Sequence, residues 1–349
     1  MLERFYNLFS DDIGIDLGTA NTLVYVKGQG IVINEPTIVA INEKTGRIVA
    51  LGNDAKQMVG RTPQHITVVR PLVDGVISNF EVAEEMLAYF FRKVNKKTPR
   101  RFWRPRVLVG VPTGVTNVEI RAVRDVARSA GASQVFIIEE PMAAAVGIRL
   151  AVHDPVGQMV VDIGGGTTDI AVISLGGIVR AKSLKIAGDR LNSDIVAYVR
   201  DEFKILLGEK TAEDAKVAIG SVWKSKELVD VTIRGRDLVT GLPKEVVLTD
   251  ADIKEAIGPS VMILVDAIKE VLESTPPEVI SDVMHNGVIL TGGGSLLSGM
   301  KELLEHELKV PVSLAEDPLT AVVRGTGVVL ENLIKYQDIL ISDEDDGVQ

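Results

Sequence analysis

Two short stretches of the sequence repeat one set of groups in one order. IGIDLGTANTLVYV (13–26) aligns with VVDIGGGTTDIAV (160–172) when Asp16 is set on Asp162, at an offset of 146 residues. Leu17 then falls on Ile163, Gly18 on Gly164 and Thr22 on Thr168. In each stretch a strand pattern reaches Asp, turns through glycine and Thr- or Asn-rich residues, and resumes as a strand. Glycine permits positive φ and close backbone approach, so successive N–H groups can form a concave nest for an anion. The hydroxyls of Thr19, Thr167 and Thr168 and the amide of Asn21 add donors suited to phosphate oxygens. A carboxylate at each strand end, Asp16 and Asp162, suits a hydrated Mg²⁺ held between the stretches, because Mg²⁺ keeps several of its waters. Either stretch alone also fits a Gly-rich β-turn. Two that match at Asp, Gly and Thr favour a phosphate site.

Three further motifs bear on the same chemistry. TGGGS (291–295) follows the apolar run GVIL and precedes a helical pattern. It fits a plain strand-to-helix turn, or a backbone approach to a ribose or α-phosphate near a helix start. Glu140 stands just before Pro141, where a helix begins. A carboxylate there is either a cap or a base that orients or deprotonates a water attacking a γ-phosphate, with Thr167 as its neighbour. EEPMAAAVG (139–147) also resembles EDPLTAVVRG (316–325), each reading as proline in the first turn of a helix dense in small residues.

The elements that must position these groups alternate between strand and helix patterns, the signature of an α/β protein. Strands are expected near 12–16, 22–27, 31–41, 106–111, 135–138, 159–163, 169–174, 178–186 and 287–291. A helix is expected over 79–94, with Ser78 and Glu81 as a capping box and Phe80, Ala83, Leu87, Phe90, Phe91 and Val94 on one face. A second long helix is expected over about 250–273. Shorter ones are expected at 117–129, 141–150, 190–206, 212–228, 296–307 and 318–336.

Composition narrows the function classes. The chain has 349 residues, room for two ordinary domains, and 46% apolar content typical of a globular fold. Its net charge of −10 argues against a protein devoted to nucleic acid. There is no cysteine, and His65, His153, His285 and His306 have no zinc spacing. MLERFYNLFS lacks the apolar core of a signal peptide, and no apolar run is long enough to span a bilayer.

In order, IDLGTANT, EEPMAAAVG, VVDIGGGTTDIAV, TGGGS and EDPLTAVVRGTGVV resemble the phosphate-1, connect-1, phosphate-2, adenosine and connect-2 series of the actin/Hsp70/hexokinase ATPase superfamily. Within it, DLGTANTLVYVKGQGIVINEPTIVA, GRTP, RPLVDGVISNFEVAEEML and GEKTAEDAK resemble the MreB family of bacterial actins, over essentially the whole chain. The resemblance implies an actin-like α/β fold of two related RNase H-like halves around a nucleotide cleft, each half with a smaller inserted subdomain. The implied division is 1–150 with about 34–77 inserted, 151–319 with about 188–250 inserted, a returning helix at 320–338 and an acidic tail at 339–349.

It also implies ATP or ADP with Mg²⁺ in the cleft. Gly18, Thr19, Ala20 and Asn21 would then face the β- and γ-phosphates from one side, and Gly164, Gly165, Gly166 and Thr167 from the other. Asp16 and Asp162 would hold the metal through water. Glu213, Asp214, Ala215 and Lys216 would supply the adenine and ribose wall, with Glu213 and Lys216 flanking base and sugar. From local sequence alone those two read as an i,i+3 ion pair on a helix face. Gly292, Gly293, Gly294, Ser295 and Leu296 would close over the α-phosphate and sugar. Glu140 matches the family's water-activating glutamate, with Thr167 beside it as the second catalytic residue. Ala187, in IAGDRLN, departs from the paired glycines usual in relatives.

As function, the resemblance implies slow ATP hydrolysis coupled to polymerisation. The filaments would lie under the cytoplasmic membrane, directing cell-wall elongation and rod shape with membrane proteins of the elongation machinery. Membrane attachment has local support in the sequence. Leu2, Phe5, Tyr6 and Phe9 share one face of a short N-terminal helix pattern. Phe102 and Trp103 sit in a run from Arg92 to Arg106 with eight Lys/Arg and no acid. A nucleic-acid role for that loop is the minority alternative. A soluble small-molecule kinase or phosphatase of the same superfamily is the alternative for the whole chain.

Overall fold

The computed structural model describes residues 12–95, 104–223 and 229–342. Its frame is two five-stranded sheets of one topology. The first contains β1 (Ile13–Leu17), β2 (Asn21–Val26), β3 (Gly30–Pro36), β4 (Arg106–Val111) and β5 (Gln134–Glu139), in spatial order β5-β4-β1-β2-β3. The second contains β6 (Gln158–Ile163), β7 (Thr168–Ser174), β8 (Gly177–Leu184), β9 (Val288–Thr291) and β10 (Val312–Leu314), in the order β8-β7-β6-β9-β10. In each sheet the first three strands form an antiparallel meander and the last two run parallel to the first. The sequence repeat is therefore a repeat of architecture. Asp16 pairs with Leu23 across the first hairpin, and Asp162 with Asp169 across the second.

Helices cover the sheets. In the first half these are α1 (Gly52–Met58), α2 (Phe80–Asn95), α3 (Asn117–Ser129) and α4 (Glu140–Gly147). The second half has α5 (Gly188–Phe203), α6 (Glu209–Ile219), α7 (Asp250–Ser274), α8 (Pro277–Asn286) and α9 (Met300–Leu308). α10 (Ala321–Glu331) returns to pack on α4, β1 and β2. A small sheet of Arg47–Leu51, Val39–Asn42 and Ile66–Val69 is inserted after β3. A second, of Ile205–Leu206, Asp230–Asp237 and Pro243–Thr249, follows α5.

α2 buries Ala83, Met86, Leu87, Phe90, Phe91 and Val94 against the first sheet, while Phe80 at its start stays exposed. Burying each large apolar side chain there is worth roughly 1.5–3 kcal/mol. Its cap is not the expected Ser78–Glu81 box. Asn79 Oδ1 accepts from Val82 N at 3.1 Å, and Ser78 Oγ instead donates to the carbonyls of Arg70 and Pro71. A reciprocal box does form at α3, where Thr116 and Glu119 each accept from the other's backbone N–H. This holds the Glu119 carboxyl below its usual range.

Three expected boundaries move. α6 ends at Ile219, not 228, because Gly220 leaves the helix with extended dihedrals. α10 begins at Ala321, since Pro318 belongs to a separate 3₁₀ turn. Residues 339–342, assigned to the acidic tail, dock instead. Ile339 is buried, Ile341 N donates to Ile137 O at 3.0 Å, and Arg124 reaches the carbonyls of Ile341 and Ser342. The apolar Ile339, Leu340 and Ile341 pack against the core.

Candidate functional site

The two hairpin turns meet. A Cβ on Gly165 would lie 2.5 Å from Ala20 Cβ, and one on Gly166 would lie 2.4 Å from Thr19 Oγ1. Only glycine allows the turns this close. A cavity of about 540 Å³ opens beside the contact. Asp16, Gly18, Thr19, Ala20, Asn21 and Glu140 line it from the first half. Asp162, Gly164, Gly165, Gly166 and Thr167 face them from the second. The turns are held locally. Thr19 Oγ1 accepts from Gly75 N at 2.9 Å, Thr37 Oγ1 donates to Gly18 O at 2.6 Å, and Thr168 Oγ1 donates to Ile186 O at 2.7 Å.

Glu140 is the first residue of α4, and no side chain caps that helix, so its carboxylate is not a cap. It projects into the cavity. Burial, then Asp169, Asp16 and Asp162, push its carboxyl well above the usual range. Asp16 is pushed up to about 7 by burial, and Asp162 to about 8 by burial with Asp16 and Asp169 beside it. Asp16 and Glu140 keep some surface open to the cavity, whereas Asp162 and Asp169 have almost none. This concentration of uncompensated acid invites a cation. Among the described residues no three Asp, Glu or His side chains converge to ligate one directly. Asp16 and Asp162 therefore suit a hydrated ion whose other positions are water and phosphate.

The adenosine-side residues divide. Glu213 and Lys216 line the cavity with Gly188, Asp189, Asn192, Val217 and Gly220. Lys216 Nζ donates to Gly188 O at 2.8 Å, and burial pulls its pKa down against the raising effect of Glu213 and Asp189. Asp214 and Ala215 are turned away. Asp214 pairs with Lys210 at 3.0 Å on the exposed face, and Ala215 is buried in the core beneath α6. The helical period that aims Glu213 and Lys216 inward aims the two residues between them elsewhere.

Gly292, Gly293, Gly294 and Leu296 line the cavity, while Ser295 is buried with its hydroxyl on Gly292 O at 2.6 Å. A Cβ on Gly292 would lie 2.3 Å from Asp162 Oδ1. Ala187, the departure from paired glycines, has φ −157°, a value open to any residue.

Sequence reasoning left three cleft residues without a role. Asp169 lies in the GGGTTD stretch, and Thr113 N donates to its carboxylate at 2.8 Å from the other half. Arg70, in RPLVDG, crosses the cleft mouth to Asp189 at 3.1 Å and Glu209 at 2.7 Å. Asn192 needed the fold to bring it to the cavity wall. Leu2, Phe5, Phe9, Phe102 and Trp103 lie outside the described residues. Within the described residues no helix is long and apolar enough to cross a membrane.

A family model described as MreB/Mbl protein matches residues 10–338. The chain belongs to the MreB/Mbl family. Cell shape-determining protein Mbl of Bacillus subtilis (strain 168) is 49% identical over 328 residues, 94% of this chain and 98% of that protein. Cell shape-determining protein MreB of Escherichia coli (strain K12) is 49% identical over 350 residues, 99% of this chain and 100% of that one. The crystal structure of MreB5 of Spiroplasma citri bound to ADP superposes with a TM-score of 0.90 at 40% identity, covering 95% of this chain and 99% of that one. A MamK double helical filament, at 22% identity and a TM-score of 0.78, shares the fold. The fold is thus actin-like, and MreB/Mbl membership disfavours the alternative of a small-molecule kinase or phosphatase.

Proposed function

We propose that the chain is a cell-shape-determining, actin-like ATPase that assembles head to tail into filaments at the inner face of the cytoplasmic membrane. The observation that carries this reading is the pair of duplicated hairpins closed on one cavity, with Glu140 and the paired carboxylates Asp16 and Asp162 at its floor. The N–H groups around Gly18–Asn21 and Gly164–Thr167 bind the phosphates, and Glu213 and Lys216 border the ribose and base. Asp16 and Asp162 would hold a hydrated Mg²⁺, which when bound would neutralise phosphate charge and offset the repulsion among the buried acids. Glu140 orients the attacking water and accepts its proton, a role suited to a carboxyl whose affinity for protons is raised.

Membrane residence and contact with the wall-elongation machinery rest on the sequence of 1–11 and 92–106 and on the relatives' roles in cell shape. The reading predicts that the protein pellets with ATP and Mg²⁺. It also predicts that Glu140→Ala slows phosphate release at least tenfold while nucleotide affinity changes little. A protein that stays monomeric at high concentration, or a variant with parental turnover, would overturn it.

A further inference from the structure

We propose that Asp169 is a positioning residue that keeps the Glu140 side of the cleft in register with the phosphate-binding hairpin. The inference rests on the ATPase reading above and assigns a task to a residue that reading does not use.

Asp169 is on β7, two residues after Thr167, and is 1% exposed. It accepts from Thr113 N, in the turn just after β4, at 2.8 Å. This is a direct hydrogen bond from one half of the molecule to the other. Ser183, its cross-strand partner on β8, and Thr167 sit near enough to favour its carboxylate form against burial. On the first-half side, the Thr113 turn follows β4, which runs against Glu140: a Cβ on Gly110 would lie 3.4 Å from Glu140 Cγ. Glu139 immediately precedes Glu140, and β4 and β5 are paired there, with Ile138 opposite Gly110 and Glu139 opposite Val111. Asp169, Thr113, β4 and the paired end of β5 thus form a continuous path from the phosphate hairpin to Glu140.

The duplication supplies an internal control. The position equivalent to Asp169 in the first hairpin is Leu23, buried and apolar. The hairpin fold does not require a carboxylate there. A buried carboxylate beside Asp162 and Glu140 is costly unless its hydrogen bonds and its task justify it. The Thr113 N–H offsets part of that cost, and a carboxylate on the phosphate hairpin bonded to the turn after β4 points to the task. Asp169 does not itself line the cavity. Its effect passes through Thr113 and β4, and misplacement of reacting groups by about 1 Å is enough to slow a reaction strongly.

The test compares Asp169→Leu, Asp169→Asn and Glu140→Gln by ATP turnover and by affinity for a fluorescent ADP analogue, each variant checked by thermal unfolding. Leucine copies the solution already present in the first half and removes every acceptor. Asparagine keeps one oxygen for Thr113 N–H. The expected result is a fall in kcat of about 10- to 100-fold for Asp169→Leu with affinity within about threefold, and recovery of most turnover in Asp169→Asn. Parental turnover in Asp169→Leu would overturn the inference. So would parallel losses of turnover, affinity and melting temperature in both Asp169 variants, the mark of a purely structural role. Failure of Asp169→Leu to fold would contradict the internal precedent and overturn it as well. Glu140→Gln separates the two readings. If it is fully active the ATPase reading fails, and if it is inactive beside an active Asp169→Leu only the role of Asp169 fails.

Discussion

Gly325 of α10 lies so close to Ala143 of α4 that a Cβ there would be 1.8 Å from the Ala143 carbonyl oxygen. The contact is reciprocal, since a Cβ on Gly147 would be 1.9 Å from Ala321 O. Two helices cross backbone to backbone at the junction of the halves. Gly325→Ala is expected to lower the melting temperature, at a cost of about 1–3 kcal/mol typical of an overpacked core. An unchanged melting curve would mean the crossing gives way easily.

Arg70 closes the mouth of the cleft on Asp189 and Glu209, with Lys56–Glu213 at 3.8 Å and Lys185–Asp74 at 3.5 Å as further rungs. These pairs are partly exposed, so each contributes about 0–1 kcal/mol to stability. Their effect should fall on ligand exchange instead. Arg70→Ala is expected to speed release of a fluorescent ADP analogue several-fold in stopped-flow measurements, with little change in melting temperature. Raising the salt concentration should reproduce part of the effect in the parent protein. Identical release rates would remove Arg70 from this role.

Asp16 and Asp162 give the free protein a pH signature. Burial raises both above the ordinary 3.8, to about 7 and about 8. The folded chain therefore holds protons that the unfolded chain has already released. The stability these groups contribute is full below about pH 4 and is lost as the pH rises through about 7 and 8. A bound divalent cation favours the carboxylate forms, so the rise in melting temperature on adding Mg²⁺ with ADP should be larger near pH 8.5 than near pH 6. Equal shifts at the two values would detach these carboxylates from the cation.

Asp12 and Arg106 form a bidentate ion pair, at 2.6 and 3.0 Å, between neighbouring strands, with Ile13 opposite Val107. Asp12 and Arg106, which are among the described residues nearest to 1–11 and 96–103 in sequence, thus lie side by side at one end of the first sheet. Replacing Phe102 and Trp103 by Ser is expected to cut cosedimentation with anionic vesicles at least threefold and leave ADP affinity unchanged, two aromatics contributing roughly 1.5–3 kcal/mol each when buried. Unchanged cosedimentation would place attachment elsewhere.

Local chemistry made much of this legible in the sequence. Asp16 and Asp162 end strands before Gly and Thr, and Glu140 precedes a proline that starts a helix, so phosphate turns and base stood out. The strands Asp230–Asp237 and Pro243–Thr249 did not, because their apolar content is thin and only Ile233 and Leu248 are buried. Ser78 was read as the cap, although its neighbour Asn79 bonds the helix, since both types cap well and sequence does not fix the start. Contacts such as Arg70 with Asp189, 119 residues apart, depend on the closed fold and leave no local mark.

The docking of residues 339–342 on β5 has a mechanical consequence. From Asp12 the described chain runs in the first half, passes to the second through α4, and returns through α10 to the first at Ser342. Among the described residues these two covalent crossings join the halves, and they lie against each other at Gly147 and Gly325. Two adjacent crossings define a pivot line, so the relative motion has essentially one rotational degree of freedom.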